Sequence, residues 1–220
     1  FLYLINYMQS IVGKIKITGI KGIKSIWKNS RWTFLLTLIP VLFQNGTALI
    51  LSTIVSPLQM GLYFGATKIY RSFNTLYGPF GQAIYPRLIA SNQISPKISK
   101  YLVYKVLLTL FSLGLIFFIL LFFWPDVFIK ILLGDLYLEA SITLKLYGIV
   151  LPLTAVSHVL GRQWMLVKGE EKTYLKIILT TSLFTFIFLV FSVDFLGIKA
   201  APISLIIFEI CTIFTILFRK

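Results

Sequence analysis

The chain has few of the residues from which soluble active sites are built. Of its 220 residues, one is cysteine, one is histidine and seven are aspartate or glutamate. A single cysteine excludes a disulfide or a cysteine-based metal site within the chain, and it gives no information on the redox compartment. One histidine without clustered acids provides neither a metal site nor a nucleophile triad. The composition therefore argues against enzyme catalysis.

Long hydrophilic segments are also missing. No hydrophilic insert, low-complexity run or clear internal repeat interrupts the sequence, so there is no room for a separate soluble catalytic domain. Hydrophobic residues make up 58% of the chain and its mean hydropathy is +0.90. Soluble domains are only about 45 to 50% apolar. The composition indicates a membrane protein.

Six hydrophobic stretches are long enough to cross a bilayer as helices, which takes about 20 residues each. They cover approximately residues 33–56, 60–85, 102–124, 142–166, 174–194 and 198–218. Residues typical of turns separate them at Ser56 with Pro57, at Pro86, at Trp124 with Pro125, at Gly161 to Gly169 and at Asp194 to Gly197. Strands of a membrane barrel are excluded because they alternate in polarity. We therefore predict an all-α bundle of six transmembrane spans.

The other segments are too short or too polar to cross. Residues 1–12 are apolar but short, and we interpret them as the end of a truncated transmembrane helix. Residues 13–31 form either a basic cytoplasmic connector or an amphipathic helix on the inner leaflet. Residues 32–220 form the six-helix lobe. Within this lobe, we expect residues 125–141 to lie along the membrane surface as a short helix.

The positive charge of the chain follows a membrane topology. The net charge is +14, from 21 Lys and Arg residues against seven Asp and Glu residues. In a soluble protein, this charge would suggest nucleic-acid binding. Cytoplasmic connections of membrane proteins, however, are enriched in Lys and Arg. When the segment before the first span is placed inside, the inside connections and the tail hold sixteen basic residues and the outside connections hold three. We predict that both ends face the cytoplasm and that no nucleic acid is bound.

Two basic residues, Lys68 and Arg71, lie inside the second span. A charge near the bilayer centre costs about 2.5 to 3.5 kcal/mol on insertion scales, so we expect both to face a wet cavity or the bundle interior. Phosphate is the natural ligand for such a pair; alternatively the side chains reach the membrane interface or neutralise acids in other helices. On a helical wheel, the face that holds Lys68 and Arg71 also holds Gly61, Thr75, Gly78 and Gln82.

Four other polar residues within the spans are candidates for binding substrate or ions. Gln44 and Asn45 of the first span would line the same cavity or hydrogen-bond a neighbouring helix. Glu209, in the sixth span, is the only acid within a span; it would pair with the basic residues or carry a coupling proton or sodium ion. His158 is a candidate for the coupling proton or an ordinary packing residue. We expect no cofactor other than this ion, and no metal. Gly78 and Pro79 would interrupt the second span and provide a hinge.

The second span also resembles a known family. O-antigen and related polysaccharide flippases contain a segment similar to GLYFGATKIYRSFNTLYGPFGQAIYPRLIASN, in which a Gly-Leu-Tyr start leads through a basic helix to a Pro-Arg exit. These flippases belong to the multidrug, oligosaccharidyl-lipid and polysaccharide exporter superfamily. The matching positions are Gly61, Tyr63, Ala66, Lys68, Pro79, Gln82, Pro86 and Arg87.

The resemblance implies a transporter of two lobes in the bacterial inner membrane, with about six helices in each lobe. This chain would be the C-terminal lobe. The transporter would move undecaprenyl diphosphate-linked oligosaccharide to the periplasmic leaflet for the synthesis of O-antigen, lipopolysaccharide or capsule-like polysaccharide. Implied partners are this lipid-linked oligosaccharide, membrane lipids, the N-terminal half of the same protein and the polysaccharide polymerase machinery.

The family likeness also implies roles for the candidate residues. Lys68 and Arg71 would attract the diphosphate, while Gln44 and Asn45 would be available to sugar hydroxyls and Gln82 would contribute to substrate binding. Glu209 and His158 would couple transport to an ion gradient, and the two lobes would rock to give alternating access.

Three alternatives stay open at the level of sequence. A drug or other lipid exporter of the same superfamily would have an acidic, hydrophobic cavity. An integral membrane transferase would need acids at an outside surface, and only Asp126, Asp135 and Glu139 qualify. A non-transporting scaffold would have no continuous polar cavity.

Overall fold

The computed structural model describes residues 20–219, which form helices joined by short turns with no β-strand among them. The helices are α1 (Ile20–Ile54), α2 (Pro57–Thr75), α3 (Tyr77–Ile94), α4 (Pro96–Phe123), α5 (Pro125–Leu133), α6 (Ser141–His158), α7 (Glu171–Leu196) and α8 (Ala200–Leu217). Short 3-10 turns cover Asp135–Ala140 and Gly197–Lys199, and a π-helical turn, Val159–Met165, extends α6. An all-α membrane bundle is confirmed.

Four segments are long and apolar enough to cross a membrane. They are Ser30–Ile54, Pro96–Phe123, Asp135–Met165 and Glu171–Leu217. The last has 47 residues and contains both α7 and α8. At 1.5 Å per residue it would be about 70 Å long as one helix, more than twice the hydrocarbon thickness of a bilayer, so it has room for two crossings. The basic α2 and α3 are not among these apolar segments, and the total of six spans stays a prediction.

Helix α6 lies at the centre of the bundle. In the apolar 18-residue stretch of its segment 61% of the residues are buried, compared with 22 to 33% in the corresponding stretches of the other three segments. It packs against α2, α4 and α8. Its closest approach is to α4, where a Cβ added to Gly114 would lie 2.8 Å from Cα of Pro152. The crossing of α4 and α6 therefore requires glycine at position 114.

The basic second span is divided at Leu76, between α2 and α3. Pro79 has no N–H, so the carbonyl of Thr75 cannot accept the usual helical hydrogen bond from four residues ahead. Close to this point, the N–H of Leu76 bonds to the carbonyl of Phe73, which lies three residues back, at 3.2 Å. The interruption expected near Gly78 and Pro79 is confirmed.

Two predicted boundaries differ from the structure. Pro86 does not end a helix, because it lies inside α3, which continues to Ile94. A proline there removes only the hydrogen bond that its own N–H would make to Gln82, and membrane helices tolerate such losses. Helix α1 begins at Ile20, well before the apolar stretch predicted from residue 33. The proposed end of a truncated helix at residues 1–12, and the connector residues 13–19, lie outside the described residues.

The segment between α4 and α6 was expected to be a short surface helix, and it consists of α5 followed by a 3-10 turn. Gly134 separates the two with a φ of 92°, a value that glycine adopts readily. The hydroxyl of Ser141 donates to the carboxylate of Asp126, and Lys130 forms an exposed ion pair with Asp135 at 3.1 Å. Two of the three acids considered for transferase chemistry thus have structural partners.

The predicted orientation can be tested by labelling single cysteines in a Cys211→Ser background. We expect a membrane-impermeant maleimide to label Glu139→Cys in intact spheroplasts, because this residue lies in the connection predicted to be outside. Lys168→Cys should be labelled only after permeabilisation. The reverse pattern would contradict the topology that the basic residues predict.

Candidate functional site

Lys68 and Arg71 lie one turn apart on the exposed face of α2. Their side chains border a shallow, open space of about 420 Å³ along one face of α2, which we call the α2 groove. Its other lining residues are Phe64, Thr67, Ser72 and Thr75. Among the described residues, neither cation has a carboxylate oxygen within 4.0 Å, since the two ion pairs found there join other side chains. The expected cationic face is therefore present, and Glu209 does not neutralise it.

Arg71 also borders a small interior cavity of about 20 Å³, next to the α2 groove. This space holds about one water molecule. Gln44 of α1 lines it together with Tyr70 and Tyr147. Gln44 thus lies beside one residue of the basic face. Asn45 is exposed and does not line this cavity, because it is the next residue along α1 and points in another direction.

Glu209 is buried in α8, with 6% of its surface exposed. Thr154 Oγ1 donates a hydrogen bond to one carboxylate oxygen at 2.8 Å, and the hydroxyl of Ser157 donates to the other oxygen. No Lys or Arg in the described part of the chain lies within 4.0 Å of this carboxylate. A buried carboxylate without a cation is costly to keep charged. The arrangement can hold a proton on Glu209 or accept a small cation beside it.

A cavity of about 100 Å³ adjoins this carboxylate, and we call it the Glu209 cavity. Asn74 Oδ1 and Ser182 Oγ belong to residues that line it, and both atoms are buried without a hydrogen-bond partner. Buried polar atoms are nearly always hydrogen-bonded, to protein or to water. The cavity is therefore suited to water molecules or to an ion with water. Gln44 and Tyr70 line both this cavity and the small cavity beside Arg71.

His158 and Arg162 lie at the other end of the Glu209 cavity. Both also line a larger cavity of about 370 Å³ between α1, α3 and the π-helical turn. Arg162 is one of the sixteen basic residues that the charge count places inside, and it lies in the π-helical turn that extends α6. Like Arg71, it is a cation that lines a cavity. His158 is half-buried between the two spaces, as a proton-carrying or packing residue would be.

Gln82 lines the larger cavity and not the α2 groove. The helical wheel that joined it to Lys68 and Arg71 assumed one continuous helix. Gln82 follows the break at Leu76 and lies eleven residues beyond Arg71, which is about 16 Å along a helix. The structure thus separates Gln82 from the cationic groove.

Sequence reasoning missed the residues that hold Glu209. Thr154 and Ser157 are three positions apart on α6 and so share one face, but hydroxyls are common in membrane helices and give no signal of a partner. The tyrosine pair that forms the wall of the small cavity was also missed. Tyr70 stacks on Tyr147 with 4.7 Å between ring centroids, and Thr67 donates to the hydroxyl of Tyr147 at 3.1 Å.

The chain is similar to a protein of Escherichia coli (strain K12) named "Putative O-antigen transporter". The two are 28% identical over 173 residues, which are 78% of this chain and 41% of that protein. The chain thus spans about two fifths of the length of the curated relative that it matches. No protein-family model and no solved structure matches the chain.

The hydroxyls that hold Glu209 should contribute measurably to stability. We expect Thr154→Val to destabilise the protein by about 1 to 3 kcal/mol, because it leaves a buried carboxylate oxygen without its donor. Thermal unfolding in detergent would measure the loss. Thr215→Val is the matched control, since the exposed Thr215 hydroxyl only bonds to the carbonyl of Cys211 in its own helix. Equal stability of the two variants would contradict the assigned role.

Proposed function

We propose that this chain is one lobe of a flippase that moves an undecaprenyl diphosphate-linked oligosaccharide across the bacterial inner membrane for cell-surface polysaccharide synthesis. The observation that carries the proposal is the α2 groove, in which two cations face outward without a carboxylate partner among the described residues. The similarity to a protein named as an O-antigen transporter supports the same reading.

The α2 groove offers positive charge as its main means of binding. The hydroxyls of Ser72 and Thr75 donate to the carbonyls of Lys68 and Arg71 in their own helix, at 3.0 and 2.7 Å. Their protons are therefore not available to a ligand. Arg71 can offer two parallel N–H donors to a phosphate group, and Lys68 adds a compact second charge. A diphosphate suits this pair better than a neutral sugar does.

The openness of the α2 groove is consistent with a lipid-linked substrate. A prenyl chain can stay in the bilayer while its diphosphate lies in a groove at the face of the bundle. The break at Leu76 and the π-helical turn at Val159–Met165 are places where the lobe can change shape, because each interrupts regular helical hydrogen bonding. Rocking of this lobe against an N-terminal half would then give alternating access.

Glu209 provides a place for the coupling ion in this scheme. Its carboxylate is held by hydroxyls and bordered by unpartnered polar atoms, so a proton or sodium ion would relieve an uncompensated buried charge. Gln44 and Tyr70 form a shared wall between the Glu209 cavity and the small cavity beside Arg71. A change of charge at Glu209 would thus act on the wall next to the diphosphate-binding cation.

A drug exporter of the same superfamily is the second candidate. The feature that favours it is the single acid of the Glu209 cavity, which is bordered by apolar rings such as those of Phe43 and Phe208. The volume of about 100 Å³ argues against this function, because sites for drug-sized ligands measure about 300 to 1,000 Å³. Lys68 and Arg71, which face outward and have no carboxylate partner among the described residues, favour an anionic substrate.

The role of the two cations can be tested in cells. We expect Lys68→Ala combined with Arg71→Ala to lower surface glycan about tenfold or more, because each charge-assisted contact is worth about 1.5 to 3 kcal/mol. Surface glycan would be measured at matched protein levels in the membrane. Arg87→Ala combined with Lys100→Ala is the control, since it removes two exposed cations outside the α2 groove. Normal export by the Lys68 and Arg71 double variant would refute the proposal.

Glu209 can be tested separately from substrate binding. Glu209→Gln keeps the size of the side chain and one acceptor oxygen, with an NH₂ group from which the hydroxyl of Ser157 can accept, but it cannot change its charge. We expect it to fold, to retain lipid-linked substrate binding and to lose glycan export, because coupling requires a carboxyl that gains and loses a charge. Export at the normal rate by Glu209→Gln would exclude this residue as the coupling site.

A further inference from the structure

The larger cavity between α1, α3 and the π-helical turn has no role in the scheme so far. Its volume of about 370 Å³ lies in the range typical of small-molecule sites, about 300 to 1,000 Å³. It lies in the half of the bundle that the charge pattern places on the cytoplasmic side. We call it the headgroup pocket, for the ligand that its residues fit.

A cation lines this pocket. Arg162 lies in the π-helical turn, is exposed and has no carboxylate within 4.0 Å among the described residues. Segments of π-helix occur often at functional sites, since they change the direction of side chains along a helix. Arginine binds phosphate through paired N–H donors. An anionic group is thus the expected ligand on this side of the pocket.

The next residue, Gln163, supplies a buried polar group. It is 4% exposed, and its Oε1 atom has no hydrogen-bond partner. On its other side, Nε2 of Gln163 lies 3.0 Å from the position that a Cβ on Gly81 would occupy, so α3 packs closely on this amide. This oxygen is buried in the packing and is not exposed to the pocket, so Gln163 shapes the wall between Arg162 and α3 and does not itself meet a ligand.

The remaining wall combines polar groups with flat apolar surface. Gln82 and Tyr85 of α3 add an amide and a phenol, while Tyr77 and Pro86 add ring faces. The hydroxyl of Tyr77 is already used, because it donates to the carbonyl of Leu151 at 3.0 Å. Sugars present hydroxyls at their edges and apolar C–H groups on their faces, and this mixture of groups matches both.

We propose that the headgroup pocket binds a sugar phosphate, with Arg162 at the phosphate and Gln82 and Tyr85 at the sugar hydroxyls. This inference rests on the proposed function and deepens it. The pocket would be a loading site for the head group of the lipid-linked oligosaccharide on the cytoplasmic side, separate from the diphosphate-binding α2 groove. Arg162 is then a binding residue in its own right.

Protection of a cysteine from labelling tests this proposal on the purified full-length protein. The reporter is Thr37→Cys in a Cys211→Ser background, since Thr37 lines the pocket and is exposed. The probes are N-acetylglucosamine 1-phosphate, N-acetylglucosamine and inorganic pyrophosphate. We expect the sugar phosphate to slow maleimide labelling about tenfold at saturation, and the other two probes to slow it much less. When Arg162→Gln is introduced into this reporter protein, we expect the sugar phosphate to protect Thr37→Cys no longer.

Two controls separate binding from damage to the fold. Arg162→Lys should retain part of the protection, because it keeps the charge and loses only the paired donors. Arg87→Gln, which changes an exposed cation that lies outside the pocket, should protect like the parent. Thermal unfolding would verify that all variants are folded.

Three results would overturn the proposal. The first is that the sugar phosphate does not protect Thr37→Cys, which would indicate a water-filled vestibule. The second is that pyrophosphate protects equally well, and the third is that the folded Arg162→Gln variant is fully protected. None of these bears on the export assay with Lys68 and Arg71. The headgroup pocket and the flippase function can therefore fail separately.

Discussion

Helix α6 connects the bundle through hydrogen bonds that cross between helices. Lipid provides no hydrophobic drive for helices to associate, so packing and interhelical hydrogen bonds must do so. Helix α6 bonds to α2 through Tyr147, to α3 through the carbonyl of Leu151, and to α8 through Thr154 and Ser157. The three helices that carry Lys68 and Arg71, the headgroup pocket and Glu209 are thus all positioned by the same central helix.

This arrangement keeps Glu209 apart from Lys68 and Arg71. In many membrane proteins, intramembrane charges pair with one another. Here the carboxylate of Glu209 is held by hydroxyls, while Lys68 and Arg71 lie in an open groove on the far side of a wall that contains Tyr70 and Gln44. The acid is left able to change its charge, and the cations are left able to bind an anion. A transporter that exchanges an ion for an anionic lipid needs both.

The features that the sequence predicts well are those that depend on local composition. Long apolar stretches predict helices, because in lipid the backbone N–H and C=O groups must form their hydrogen bonds within the segment. A charged residue inside such a stretch predicts a polar face on the helix. Gln82 lines a different cavity from Lys68 and Arg71, because it lies eleven residues beyond Arg71, past the end of α2 at Thr75. No sequence pattern marks the π-helical turn that holds Arg162. The partners of Glu209 lie more than 50 positions away in sequence, on another helix.

On the proposed function, Lys68 and Arg71 meet a substrate and not acids from elsewhere in the protein. The most direct test is an experimental structure of the full-length protein in lipid nanodiscs with a bound prenyl diphosphate-linked oligosaccharide. We expect density for the diphosphate in the α2 groove, within hydrogen-bond distance of both cations. Carboxylate side chains paired with Lys68 and Arg71 in that groove, and diphosphate density elsewhere, would contradict this expectation.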